Sequence, residues 1–332
     1  MPISRRTLVA TLAAAPLASL LPRQAFAAYP DRPIRLIVPF AAGGNADFVA
    51  RLTGEGMSQA LGQPLVIEFR TGAGGSLGAG EAARSAPDGY SLFMGSNGPL
   101  TVNPFVQAKL GYDPINDFVA IGLSSLTPHC VVVHESVPAK TLPELVALSK
   151  RQQVTIGIAG TGSATHMTLA RLIAQTGANF TAVPYRGGGA LVPDMLSGTI
   201  NGAMTEISTA LPHHNAGKVR VVAIASAARS AQARDVATMI EAGVKDFTAA
   251  SYVGVLAPAK TPPDIVAVLE QALSKALSNK ATQDKFLASG AELAPEARNL
   301  SWVALLLSAL LNACSSTATM SGGVLAGAST PT

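Results

Sequence analysis

Three times in its first 166 residues the chain repeats one local design: an apolar, β-branched run, a loop of Gly, Ser, Thr or Ala, and at once a stretch with helical spacing. Ile34-Arg35-Leu36-Ile37-Val38 leads into residues 39–47. Leu65-Val66-Ile67-Glu68-Phe69 leads into 71–78. Residues 154–158 lead into 159–166. Strands that alternate with helices predict an α/β protein with mainly parallel sheets. A length of 332 residues leaves room for about two domains. In open α/β sheets ligands meet the loops at the carboxyl ends of strands, so these three loops are the first place to look for chemistry.

The rest of the chain keeps the pattern. Phe48, Val49, Leu52 and Leu61 form a helical stripe stopped by Gly62, and a second helix stops at Gly177. Thr141-Leu142-Pro143-Glu144 reads as a capping box with Pro in the first turn. Further strands are predicted at 90–94, 180–183, 200–204, 219–225 and 251–256, and a long helix at 262–277. His129-Cys130-Val131-Val132-Val133-His134 reads as a buried strand, with Cys130 acting there as a small hydrophobe. A disulfide to Cys314 is the alternative.

The N-terminus reads as an export signal. Arg5 and Arg6 precede an apolar stretch from Leu8 to Leu21, and Ala25-Phe26-Ala27 offers small residues for cleavage before Ala28. Arg5-Arg6 fits either the general secretory or the twin-arginine route. No Cys follows the cleavage site to take a lipid. Losing residues 1–27 removes three arginines and no acid, which lowers the formal charge from +4 to +1. The remaining charge gives no reason to expect a nucleic-acid partner. Hydrophobic residues make up 48% of the chain, yet past the N-terminus no apolar run reaches the ~18 residues of a membrane span.

Glycines let a backbone approach a ligand, and helix N-termini attract anions, so a carboxylate or phosphate is the expected guest of the three loops. Gly74-Gly75-Ser76-Leu77-Gly78 also matches the G-x-S-x-G elbow of serine hydrolases. Asp88, Asp194, His166 and His213 would be the partners of Ser76 in that reading. The match lies among five glycines between Gly72 and Gly80, where it has little weight. No Walker lysine follows a Gly loop, and no Cys–His spacing suggests a metal, so no cofactor and no metal are expected.

Residues 29–47 (Tyr-Pro-Asp-Arg-Pro-Ile-Arg-Leu-Ile-Val-Pro-Phe-Ala-Ala-Gly-Gly-Asn-Ala-Asp), 61–68, 72–78, Ala86-Pro87-Asp88-Gly89-Tyr90, 112–118, 183–187 and 216–220 together carry a resemblance. In order and spacing they resemble the Bug-type substrate-binding proteins of tripartite tricarboxylate transporters, from Tyr29 to about Pro295. The resemblance implies a two-domain periplasmic binding protein of type II, Venus-flytrap topology with a hinged cleft. Domain 1 would span 29–127 plus 251–299, and domain 2 would span 128–250. It further implies a small organic acid as ligand, membrane transporter subunits as partners, and a monomer without catalysis. A periplasmic sensor reporting to a signalling receptor is the alternative on the same fold.

Carried over by position, the cleft would take Phe40, Ala41, Ala42, Gly43, Gly44 and Asp47 from the first loop. Gly74, Gly75, Ser96, Asn97 and Gly98 would join them. The second domain would add Thr161, Gly162, Ser163, His166, Tyr185 and Glu206. Two departures stand out. Ile207 follows Glu206 where many relatives carry Asp-Asn. Ile207 either shifts the cleft toward apolar ligands or packs beneath it. The tail at 300–332 is uncharged and unlike the charged amphipathic helix of relatives, through divergence or a frameshift.

Overall fold

A computed structural model describes residues 29–293. The expected signal at 1–27, the tail at 300–332 and Cys314 lie outside the described residues. The first segment runs β1 (Ile34–Val38), α1 (Asn45–Leu61), β2 (Leu65–Phe69), α2 (Ser76–Ala83), β3 (Ser91–Ser96) and the short α3 (Asn103–Val106). β1 pairs in parallel with both β2 and β3. It is buried on both faces, as parallel strands sheathed by helices are. Gly62 ends α1 in the left-handed conformation, with φ of 68°.

β4 (Phe118–His134) is a single strand of 17 residues that serves two sheets. Over Phe118–Pro128 it pairs antiparallel with β9 (Ala250–Pro258). From His129 onward it pairs with β7 (Gly202–Glu206) and β8 (Val219–Ile224). Pro128 has no N–H to give to a ladder and sits where β4 leaves one sheet for the other. The second sheet is completed by β5 (Val154–Ile158) and β6 (Phe180–Pro184), parallel to each other, with β7 parallel to β5. Its helices are α4 (Leu142–Ser149), α5 (Ala164–Thr176), α6 (Gly188–Ser197) and α7 (Ile207–Asn215). The chain returns through Ala249 into β9, then forms α8 (Pro263–Ser278), α9 (Lys280–Ala288) and β10 (Glu292–Leu293), which pairs with β4.

Each sheet has its own core on both faces. Leu36, Val38, Met94, Val255, Leu273 and Phe286 belong to one cluster under α1, α8 and α9. Ile37, Phe93, Phe118 and Tyr252 pack on the opposite face. In the second sheet Val131 and Val133 face one cluster, while Cys130 and Val132 face another, as the two-residue period of a strand requires. Cys130 is a fully buried free thiol. The Thr141 half of the capping box is present, with Thr141 Oγ1 accepting from Glu144 N at 3.4 Å, while Glu144 Oε2 accepts from Lys140 N, one residue before the cap, at 2.7 Å. Several strand boundaries differ from expectation by one or two residues, among them the start of β7. The run predicted from Ile200 begins at Gly202, because Asn201 turns its side chain to the Thr155 backbone N–H at 2.8 Å. Among the described residues no helix is long and apolar enough to cross a membrane.

Candidate functional site

The segments that follow β1, β3, β5 and β6 meet the end of β7 between the two sheets and line a narrow slot. Phe40, Ala41, Gly44, Asn45 and Ala46 come from the first loop and the start of α1, and Ser96, Asn97 and Gly98 follow β3. The second sheet contributes Ala159, Ser163, Ala164, Thr165, Gly188 and Glu206, and β9 contributes Ser251 and Val253. The slot encloses only about 30 Å³. An outer pocket of about 470 Å³ adjoins it, sharing Phe40 and Ala159 and lined by Gly74, Gly75, Thr161 and Tyr185 among others. A slot of 30 Å³ holds one or two water-sized groups, so any organic acid must part its walls to enter.

The slot is electropositive through its backbone. Four helices begin on it: α1 after Gly44, α5 after Ser163, α6 after Gly187 and α7 after Glu206. The first turn of a helix leaves N–H groups without intrahelical partners and carries the positive end of the dipole. No side chain caps the starts of α1, α6 or α7. Among the described lining residues none is basic, and Glu206 is the sole ionisable one. Ser96 Oγ lines the slot, is buried, and has no hydrogen-bond partner among the described residues. The arrangement can hold an anion by dipoles and a hydroxyl rather than by an Arg or Lys clamp.

Of the residues expected from sequence, Phe40, Ala41, Gly44, Ser96, Asn97, Gly98, Ser163 and Glu206 line the slot. Gly74, Gly75, Thr161 and Tyr185 line the outer pocket. Ala42, Gly43, Asp47, Gly162 and His166 line neither. Gly43, Asp47, Gly162 and His166 brace the loops instead. Asp47 Oδ2 accepts from Gly43 N at 2.8 Å, and Asp47 pairs with Arg51 at 2.7 Å. His166 Nδ1 accepts from Gly162 N at 3.2 Å, and burial holds its pKa below the ordinary imidazole value. Tyr185 donates to Asp194 at 2.6 Å, and burial together with that carboxylate pushes its phenol up to about 12. Ile207 is wholly buried with Cys130, Val132 and Leu191 beneath the slot, so it packs and does not shape the lining.

Asn45, His129, Ser251 and Asn103 were not expected. Asn45 Oδ1 accepts from Thr127 Oγ1 at 3.0 Å and from Ser208 Oγ at 2.8 Å, joining α1 to the crossing strand and to α7. Ser251 Oγ lies 2.8 Å from both Glu206 Oε1 and His129 Nε2, and His129 Nδ1 lies 2.7 Å from Thr168 Oγ1. Burial lowers the pKa of His129, which outweighs the opposite pull of Glu206. Asn103 Nδ2 donates to Gly74 O at 3.1 Å and to Ser76 Oγ at 2.8 Å. Ser76 thus hydrogen-bonds to an amide and, at 3.4 Å, to Tyr112. The imidazole of His166, its imagined base, is engaged with its own loop. The one sequence signal for these positions is a polar residue inside an otherwise apolar strand, as at His129 and Ser251.

The two halves touch through backbone. Ala41 N donates to Arg186 O at 2.8 Å. A Cβ placed on Gly189 would stand 1.9 Å from Ala42 O, and one on Gly44 would stand 2.7 Å from Gly189 N. Only glycine permits that approach. A Cβ on Gly74, whose φ is 59°, would likewise stand 2.5 Å from Thr161 O.

Two sheets that share a crossing strand, with helix N-termini facing a slot between them, define a periplasmic binding protein fold. The chain belongs to the tripartite tricarboxylate transporter family receptors, which it matches over residues 49–301. It is 34% identical over 266 residues to protein BugT of Bordetella pertussis, covering 79% of this chain and 82% of that one. It is also similar to MatC from Rhodopseudomonas palustris with bound malate, at 32% identity and a TM-score of 0.81, covering 86% of this chain and 98% of that one. A further R. palustris structure, with adipate, gives 28% identity and a TM-score of 0.82 over 88% of this chain and 97% of that one.

Proposed function

We propose that the chain is an exported solute-binding receptor that captures a small organic carboxylate in the slot and delivers it to membrane transporter subunits. The observation that carries this reading is the convergence of four helix starts on a slot whose described lining contains no basic side chain. Such a site meets an anion with fixed dipoles and suits a carboxylate of modest size. The malate and adipate held by similar proteins support the same ligand class.

In this reading domain 1 takes residues 29–127 plus 251–299 and domain 2 takes 128–250. The crossings at Pro128–His129 and Ala249–Ala250 serve as the hinge. The domains part to admit the acid and close on it, and the closed form is what the membrane partner reads. The receptor acts as a monomer, with no metal, cofactor or catalytic step.

Thermal shift against di- and tricarboxylates, acidic amino acids and aromatic acids tests the reading. An acid at ~100 times its dissociation constant stabilises the protein by roughly 2.7 kcal/mol. A panel in which no acid raises the melting temperature would contradict it. Export has its own readout. The Ala25-Phe26-Ala27 site sets the mature chain to begin at Ala28, by the secretory or twin-arginine route. Intact mass of the periplasmic protein checks this, and a retained Met1 would contradict it.

A further inference from the structure

The hydrogen-bond chain behind Glu206 runs in one direction. His129 is fully enclosed, and burial favours the neutral ring, which carries one N–H. Ser251 has one hydroxyl proton and faces two acceptors, Glu206 Oε1 and His129 Nε2, each at 2.8 Å. If the ring proton sat on Nδ1, Ser251 could satisfy only one of them, and a buried acceptor would go unpaired. With the proton on Nε2 every group is served. Thr168 donates to Nδ1 across 2.7 Å, Nε2–H donates to Ser251, and Ser251 donates to Glu206 Oε1. Thr168 Oγ1 also lies 3.0 Å from Ala164 O, a longer contact to a carbonyl that lies within the helix. At the far oxygen, Thr205 Oγ1 donates to Glu206 Oε2 at 3.3 Å. Both carboxyl oxygens therefore accept from the protein, and each has lone-pair capacity left over.

We propose that Glu206 is a specificity-determining residue, held as a hydrogen-bond acceptor by Thr168, His129 and Ser251, and that the slot selects acids that also carry a hydroxyl or ammonium donor. This rests on the reading of the slot as an organic-anion site. The helix starts take the carboxylate, and Glu206, the sole ionisable side chain in the described lining, takes the donor. A plain diacid brings only acceptors to Glu206 and leaves two carboxylates opposed without a proton between them. A site built to accept from a donor on its ligand discriminates against the analogue that lacks the donor more strongly than a site that senses size alone.

The test compares succinate, malate and aspartate, which share a four-carbon backbone and differ in the donor at one carbon. Titration calorimetry on the wild type is expected to show malate or aspartate binding roughly tenfold or more tighter than succinate. Glu206→Gln, which turns one acceptor into a donor, is expected to remove that preference. Ser251→Ala, which cuts the chain, is expected to shrink it. In the ligand-free protein, ¹⁵N NMR is expected to find His129 neutral with its proton on Nε2. Succinate binding as tightly as the other two overturns the proposal and leaves the organic-acid reading standing, as does a preference untouched by Glu206→Gln. A His129 proton on Nδ1 overturns the directed chain. Binding of none of the three overturns the proposal. If the wider acid panel is also silent, the reading beneath it falls as well.

Discussion

Gly189→Ala is expected to weaken acid binding roughly 100-fold while leaving the ligand-free protein folded. The new methyl would stand 1.9 Å from Ala42 O, well inside contact distance, with both groups on backbone that cannot swing away. The clash lies between the two sheets and not within either core. The halves can relieve it by separating, which breaks the Ala41 N to Arg186 O bond beside the slot. Within α6 itself alanine is a better helix former than glycine, so the second half loses nothing locally. Affinity for the best acid of the panel and the melting temperature of the free protein are the two readouts. Unchanged affinity would show that this approach is not part of the bound state. A collapse of the free protein would show that the contact stabilises the fold rather than closure.

Phe286→Ala is expected to destabilise the protein by about 3–5 kcal/mol, the range for deleting a buried aromatic side chain. Phe286 is fully buried on α9 and meets Phe48 of α1 edge-on, with ring centroids 5.8 Å apart. It joins the cluster formed by Leu36, Val38 and Leu273. The helix therefore belongs to the first core, and it lies inside the family match over residues 49–301. Urea denaturation measures the cost. A loss below about 1 kcal/mol would show that α9 is peripheral to that core.

Much of the architecture was legible because local chemistry carried it. Gly62 and Gly177 stop their helices in left-handed caps, as expected. Thr141 caps α4, and the β-branched run at Ile34 is the buried parallel strand it resembles. The 17-residue reach of β4 was not legible. Gly122, Ser124, Ser125, Thr127 and Pro128 look like turn residues, and only pairing with β9, more than a hundred residues later in the chain, makes them strand. The same limit applies to the slot. Its loops announced themselves through glycine, but Ser251 lines it, with His129 behind, on strands that read as core. Their role depends on contacts 45 and 122 positions apart in sequence. Asp47 and His166 were assigned to the lining, and their hydrogen bonds instead turn back into their own loops.

Titration calorimetry with the acid panel, run in parallel on the wild type and on Gly189→Ala, tests the central claim most directly. The account predicts that at least one small organic acid binds the wild type with one ligand per chain, and that the same acid is nearly lost by the variant. No binding by any acid to the wild type, or equal binding to both proteins, would contradict it.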